Sequence, residues 1–153
     1  MYYFGDSDDA GQPEYTRGEG YFWLTISHTD TSPIVETFPL DLTGITNTAD
    51  SLIVQAQISS GSLPRHNVQL SLTSDGTPLV CDTCTDEADW SNYVFQTLRI
   101  AIPQTAVPAG TTIEAVVTSN NDFNSFPNRV LLDYVAHSYN RTLDTNTGNF
   151  RFS

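Results

Sequence analysis

The chain has 153 residues, with 18 Asp and Glu against 6 basic residues and a formal net charge of −12. That length fits one domain, able to bury roughly 70% of the surface its unfolded chain exposes, so a core can form without a framework of disulfides. The charge excludes nucleic acid as a partner, since no basic patch is present to release phosphate counterions. A membrane span is excluded too, since no apolar run reaches the roughly 18 residues of a transmembrane helix.

All six bases are arginine, at positions 17, 65, 99, 129, 141 and 151. Equal sharing of the usual ~25% of charged residues would give roughly nine lysines; there are none. Self-repulsion of this size loosens a compact state at ordinary ionic strength, whereas at about 1 M salt the Debye length shrinks to roughly 3 Å. An acidic, lysine-free surface is therefore expected of an extreme halophile; the plainer alternative is an acidic secreted domain that lost lysine by drift.

Residues 1–20 read as an acidic, aromatic lead-in, and residues 21–153 as the folded domain. Met1 runs directly into YYFGD without a charged-then-apolar leader, the pattern of a domain excised from a larger protein. DSDDAGQPE begins like a calcium loop, but an EF-hand frame from Asp6 sets Arg17 where the twelfth-position glutamate is needed. A solvated acidic face is the better reading.

Strand signals then follow one another. Tyr21–Ser27 and Ile34–Leu40 come first. Clean alternation follows at Leu52, Val54, Ala56 and Ile58, and again at Val68, Leu70 and Leu72. Asp75-Gly76 marks a hairpin, after which a short strand is expected over Pro78–Val80. Alternation resumes at Val94, Leu98, Ile100 and Ile102, then at Ile113, Ala115 and Val117. Arg129–Tyr139 and a terminal Asn149–Ser153 complete about eight or nine strands. The fold expected is all-β, an antiparallel β-sandwich of jelly-roll type.

Candidate sites are few. Cys81 and Cys84, in CDTC, can span the separation a local disulfide requires, while Asp82, Asp86, Glu87 and Asp89 around them raise thiol pKa and disfavour a redox site. Zinc would need two further ligands, and His28, His66 and His137 show no paired ligand spacing. No GxSxG, HExxH, P-loop or dinucleotide fingerprint occurs, so no residue is assigned as catalytic. Trp23, Trp90 and Tyr21 belong to aromatic clusters that serve either as core and interdomain packing or as a sugar platform. Asn140-Arg-Thr142 matches a glycosylation sequon.

Four segments in this order, YTRGEGYFW (15–23), ETFPLDLTGI (36–45), RHNVQLSLTSDG (65–76) and VLLDYVAHSYNRTL (130–143) followed by GNFRFS, carry a resemblance. Together they are similar to the lectin-like β-sandwich domain preceding the catalytic domain in gingipain-type cysteine peptidases and PorU-like sortases of type IX secretion. The resemblance implies a non-catalytic accessory jelly roll of an exported or cell-surface protein. It also implies a downstream peptidase domain as partner, with the parent's catalytic His and Cys beyond Ser153. CDTC and the missing lysines depart from that pattern. A second resemblance, to calcium-stabilised carbohydrate-binding jelly rolls, implies that Asp133 and Glu19 hold a structural Ca²⁺ and that a glycan is the ligand.

Asp133 poses the sharpest physical question. An ionised carboxylate among Leu131, Leu132 and Val135 costs several kcal/mol if unpaired. Its expected partners are Arg141, Arg129 or Arg17 in a bidentate pair, backbone donors, calcium, or water at a sheet edge.

Overall fold

Apolar residues at every second position dictate strands with one buried face. The structure, a computed structural model describing residues 2–3, 21–121 and 126–141, is built almost wholly from them. In chain order they are β1 (Tyr2–Tyr3), β2 (Tyr21–Phe22), β3 (Leu24–His28), β4 (Ile34–Pro39), β5 (Ser51–Ser60), β6 (His66–Ser74), β7 (Thr77–Pro78), β8 (Thr85–Trp90), β9 (Phe95–Pro103), β10 (Ile113–Asn120) and β11 (Asn128–Ser138). Glu19, Arg17, the lead-in acids, most of the GNFRFS segment's neighbours and the expected strand Asn149–Ser153 lie outside the described residues.

β1 and β2 pair only with each other in a small ribbon. The remaining strands form two antiparallel sheets, one ordered β3-β11-β5-β9 and the other β4-β10-β6-β7, with β8 also paired to β6. Apart from the β6–β7–β8 hairpins, every connection from β3 to β11 passes from one sheet to the other. That alternation is the winding of a jelly roll, as the sequence leads one to expect.

The inner faces carry the alternating residues. Leu52, Val54, Ala56 and Ile58 of β5, Val68, Leu70 and Leu72 of β6, Leu98, Ile100 and Ile102 of β9, and Ala115 and Val117 of β10 form one buried cluster. Each such Leu, Ile or Val side chain contributes about 1.5–3 kcal/mol of transfer free energy. The β6–β7 turn is of type I′, since Asp75 (φ 48°) and Gly76 (φ 76°) both take the left-handed conformation. Asp75 also ties this hairpin to the β9–β10 connection: its N–H donates to the Thr112 carbonyl, and its Oδ1 accepts from the Thr112 N–H, both at 2.9 Å.

Two expectations need correction. The strand expected over Pro78–Val80 is Thr77–Pro78; Leu79 still donates to the Leu72 carbonyl, but Val80 is 97% exposed as the chain turns into the cysteine loop. The run TDEADW, which reads as a solvated acidic loop, is β8. There Thr85, Glu87 and Asp89 face solvent while Ala88 and Trp90 pack inward. Asp86 accepts through Oδ2 from the Arg99 N–H at 2.7 Å, and Thr83 Oγ1 donates to the Ala101 carbonyl at 3.1 Å. Side chains from the facing sheet thus occupy backbone groups on the open edge of β9, which protects that edge from pairing with another chain.

β11 contains the Asp133 irregularity. Leu132 lies opposite Ile58 and Tyr134 opposite Gln57, so Asp133 is an extra residue with no partner on β5, a β-bulge. Before it, Val130 and Leu132 belong to the core; after it, Val135 and Tyr139 do. The inward set changes from even to odd numbers across the bulge.

Candidate functional site

The two ends of the sandwich differ. At one end lie the turns after β3, β5, β8 and β10. Residues 61–65, between β5 and β6, pack against the start of β11: Gly61 N–H donates to the Arg129 carbonyl and Arg129 N–H to Ser62 Oγ, both at 2.9 Å. Under these turns sits a buried polar cluster. His66 is fully buried, with Nδ1 2.8 Å from Asn128 Oδ1 and Nε2 2.9 Å from the Ser62 carbonyl oxygen. Asn128 Nδ2 donates to Asn121 Oδ1 at 2.9 Å and to the Arg65 carbonyl at 3.3 Å, and Asn121 Nδ2 donates to the Asp30 carbonyl at 3.1 Å.

His28, 5% exposed, meets Ser119 Oγ through Nε2 at 2.9 Å, while its Nδ1 has no hydrogen-bond partner among the described residues. Burial holds the His28 pKa below the ordinary histidine value; this outweighs the opposing pull of the Ser32 backbone and the Asp30 carboxylate. At the rim, Arg65 grips Asp89 in bidentate fashion, Nε to Oδ1 at 2.6 Å and Nη2 to Oδ2, and that contact keeps the Asp89 carboxyl below its usual range. Leu63, 60% exposed, and Phe126 give the same rim an apolar surface.

At the other end a cleft of about 690 Å³ opens between the β4–β5 and β9–β10 connections, a size suited to a small ligand. Leu40, Leu42, Ile45, Val107 and Ile113 line it together with Asp41 and several threonines. Its polar groups are engaged in structure. Asp41 Oδ1 accepts from both the Thr43 N–H and hydroxyl, which lowers its pKa. With its amide oriented to suit its neighbours, Gln104 accepts from the Asn140 N–H at 2.7 Å and donates to the Thr46 carbonyl at 2.8 Å. Tyr139 Oη donates to the Thr43 carbonyl at 3.0 Å, and His137 Nε2 lies 2.9 Å from the Asp41 carbonyl, so the end of β11 is fastened to the same wall.

The residues singled out in the sequence are scattered over this frame. Cys81 and Cys84 are joined in a disulfide, Cα atoms 5.2 Å apart, with Cys84 in the core. Trp90 is 7% exposed, packs against the His66 ring at 5.3 Å between centroids, and offers no face to solvent. Trp23, half exposed, leans on Phe38 at 4.9 Å. By strand order β3 and β8 lie at opposite margins of the sandwich, so Trp23 and Trp90 do not make one platform; the Tyr21 side chain lies outside the described residues. Asp133 sits half-buried at its bulge, next to the break between β2 and β3 where Trp23 N–H donates to the Leu132 carbonyl at 2.9 Å. Glu19 cannot be placed beside it, and among the described residues no three His, Cys, Asp or Glu side chains gather as metal ligands.

The buried polar cluster is the feature that sequence reasoning missed. Its signal was present in RHN (65–67) and PNR (127–129), polar residues flanking strand starts, but nothing local announces that His66 and Asn128 meet. Comparisons with protein-family models, curated proteins and solved structures find no match. Among the described residues no helix is long and apolar enough to cross a membrane.

Proposed function

We propose that this chain is a non-catalytic accessory β-sandwich domain of a secreted, halophilic, gingipain-like or PorU-like cysteine peptidase, which packs beside the peptidase domain and positions it. The observation that carries the non-catalytic part is how the histidines are used. His66 is fully buried between Asn128 and Ser62, His28 is buried against Ser119, and His137 lies on the Asp41 carbonyl. Each is engaged in holding strands or turns together rather than aimed with a nucleophile into a cleft.

Support for the parent comes from the resemblance. Its segments fall on successive structural elements: the approach to β3, β4 with the turn after it, β6 with its I′ turn, and β11 with its bulge. The test is the coding sequence beyond Ser153 together with co-expression of whatever domain it encodes. A peptidase domain that forms a stable complex with this sandwich is the expected result; a parent with no such domain overturns the reading.

The half-exposed Trp23 ring, braced by Phe38, favours a second reading as a calcium-stabilised carbohydrate-binding module, in which Asp133 and Glu19 hold the ion. Glycan-array binding that is lost in Trp23→Ala, and a melting temperature lowered by EDTA, would support it; an inert array would remove it.

A further inference from the structure

Two buried histidines share the turn-bearing end, and their hydrogen bonds differ in kind. His28 meets a hydroxyl, which donates or accepts as required and so suits a neutral ring. His66 meets oxygen atoms of an amide and a main-chain carbonyl, and neither can donate. Which end of Asn128 faces the ring is fixed from its far side, where Nδ2 lies between Asn121 Oδ1 and the Arg65 carbonyl. Asn121 is fixed in turn by the Asp30 carbonyl.

The result is a chain of contacts with a main-chain carbonyl at each end: Ser62 O, the His66 ring, Asn128, Asn121, Asp30 O. Every link in it needs a proton. Each amide can serve one link with its NH₂ end, so the ring must serve the remaining two. Turning Asn128 over sets its oxygen against Asn121 Oδ1 and the Arg65 carbonyl; turning both amides moves the clash to the Asp30 carbonyl. A neutral imidazole leaves one link without a proton wherever that link is placed, and two acceptors face to face in a buried site are costly.

We infer that His66 carries both ring protons in the folded protein, and that this buried imidazolium is a clasp holding the β5–β6 turn to the start of β11. Burying a cation is unfavourable, and several features offset it. Its two bonds are charge-assisted, the Trp90 indole lies 5.3 Å away with its electron-rich face available, and the chain's charge of −12 favours any interior cation. The titratable groups around it are consistent with one charge in this space. His28 on β3 is repelled by it. Asp30, in the turn after β3, interacts with Ser32 and His28. Arg65 and Asp89 neutralise each other at the rim. Losing the ring proton breaks a link between the 61–65 turn, which bears Leu63, and the strand that follows Phe126 and Pro127. Proton loss and loosening of this apolar rim are therefore one event.

The test uses the uniformly ¹⁵N-labelled chain. Long-range ¹H–¹⁵N correlation reads the protonation of each His66 ring nitrogen across a pH series, and amide exchange of residues 62–66 and 128–130 is followed in parallel. The expected result is two ring protons wherever those amides are protected, with ring proton and protection lost together, protection falling at least tenfold. A ring with one proton beside fully protected amides overturns the proposal. In His66→Gln the amide can donate from one end only, and tenfold faster exchange is expected at 62–66 while Leu52, Ile100 and Val117 exchange unchanged. Unaltered exchange at 62–66 also overturns it, and if that variant does not fold the wild-type series decides alone.

Discussion

The indole nitrogen of Trp90 donates to Ser60 Oγ at 2.5 Å, and that hydroxyl donates onward to the Asn92 carbonyl at 2.5 Å. The last residue of β8 is thereby fastened to the last residue of β5, in the opposite sheet. Ser60→Ala leaves a buried N–H without its acceptor, so a loss of about 1–3 kcal/mol is expected in urea unfolding. Trp90→Phe removes donor and cost together, and in the Ser60→Ala/Trp90→Phe double variant the serine change should cost little. Strict additivity of the two single changes would show that the bond contributes nothing.

The Asp133 bulge sets which side chains of β11 after it point inward. Deleting Asp133 restores strict alternation from Val130 and turns Val135 and Tyr139 outward, with Tyr134 and Ala136 inward in their place. Loss of two core contacts and of the bulge should cost more than about 3 kcal/mol, or abolish folding. Asp133→Asn keeps the extra residue and should cost clearly less. Equal effects in a circular-dichroism melt would assign the loss to the carboxylate rather than to the phase of the strand.

These two features mark the boundary of what the sequence makes legible. Strands with apolar residues on one side, such as β5, β6, β9 and β10, follow from alternation alone, and the type I′ turn follows from Asp75-Gly76. β8 is hidden because one of its inward positions is Asp86, whose carboxylate serves the Arg99 N–H of a strand in the other sheet. Alternation fails there for a tertiary reason. Asp133 looks anomalous in an apolar run for a related reason: the run is two inward sets of different parity, and the acid stands at their junction. The His66–Asn128 contact spans 62 residues of sequence and has no local signature at all.

His28 gives a pH dependence of defined sign. Its folded-state pKa is depressed by burial, so the unfolded chain binds a proton more readily than the folded one does. Stability contributed by the neutral buried ring is complete above the unfolded value of 6.5 and is lost as pH falls below it toward the folded value. His28→Gln should flatten the pH–stability curve in that interval relative to wild type. An unchanged slope between pH 7 and pH 5 would place the titration elsewhere.

The Cys81–Cys84 bond closes a very short loop. On the loop-entropy model such a closure stabilises by about 2 kcal/mol at most, which is small beside the core of either sheet. Reduction should lower the urea midpoint modestly and leave folding cooperative. Complete unfolding on reduction would mean that the Leu79–Cys84 segment is needed to hold β8 on β6.

The surface acids act through their sum. Asp30, Asp41 and Asp50 are exposed and have lowered pKa, chiefly through hydrogen bonds from Ser32, Thr43 and Thr48. These bonds keep each carboxylate ionised without neutralising it, so the net charge of −12 is left to repel itself over the whole surface. Raising KCl from about 0.1 M to about 2 M shortens the screening length from roughly 10 Å to below roughly 3 Å, less than the spacing of most exposed charges. The urea midpoint should therefore rise with salt at nearly constant m-value, the signature of a stability change rather than of a changed unfolded state. Replacing exposed Asp82 and Glu87 by Asn and Gln should shrink that rise, since fewer like charges then need screening. A midpoint insensitive to KCl in both proteins would mean that the acidic surface is not an adaptation to salt.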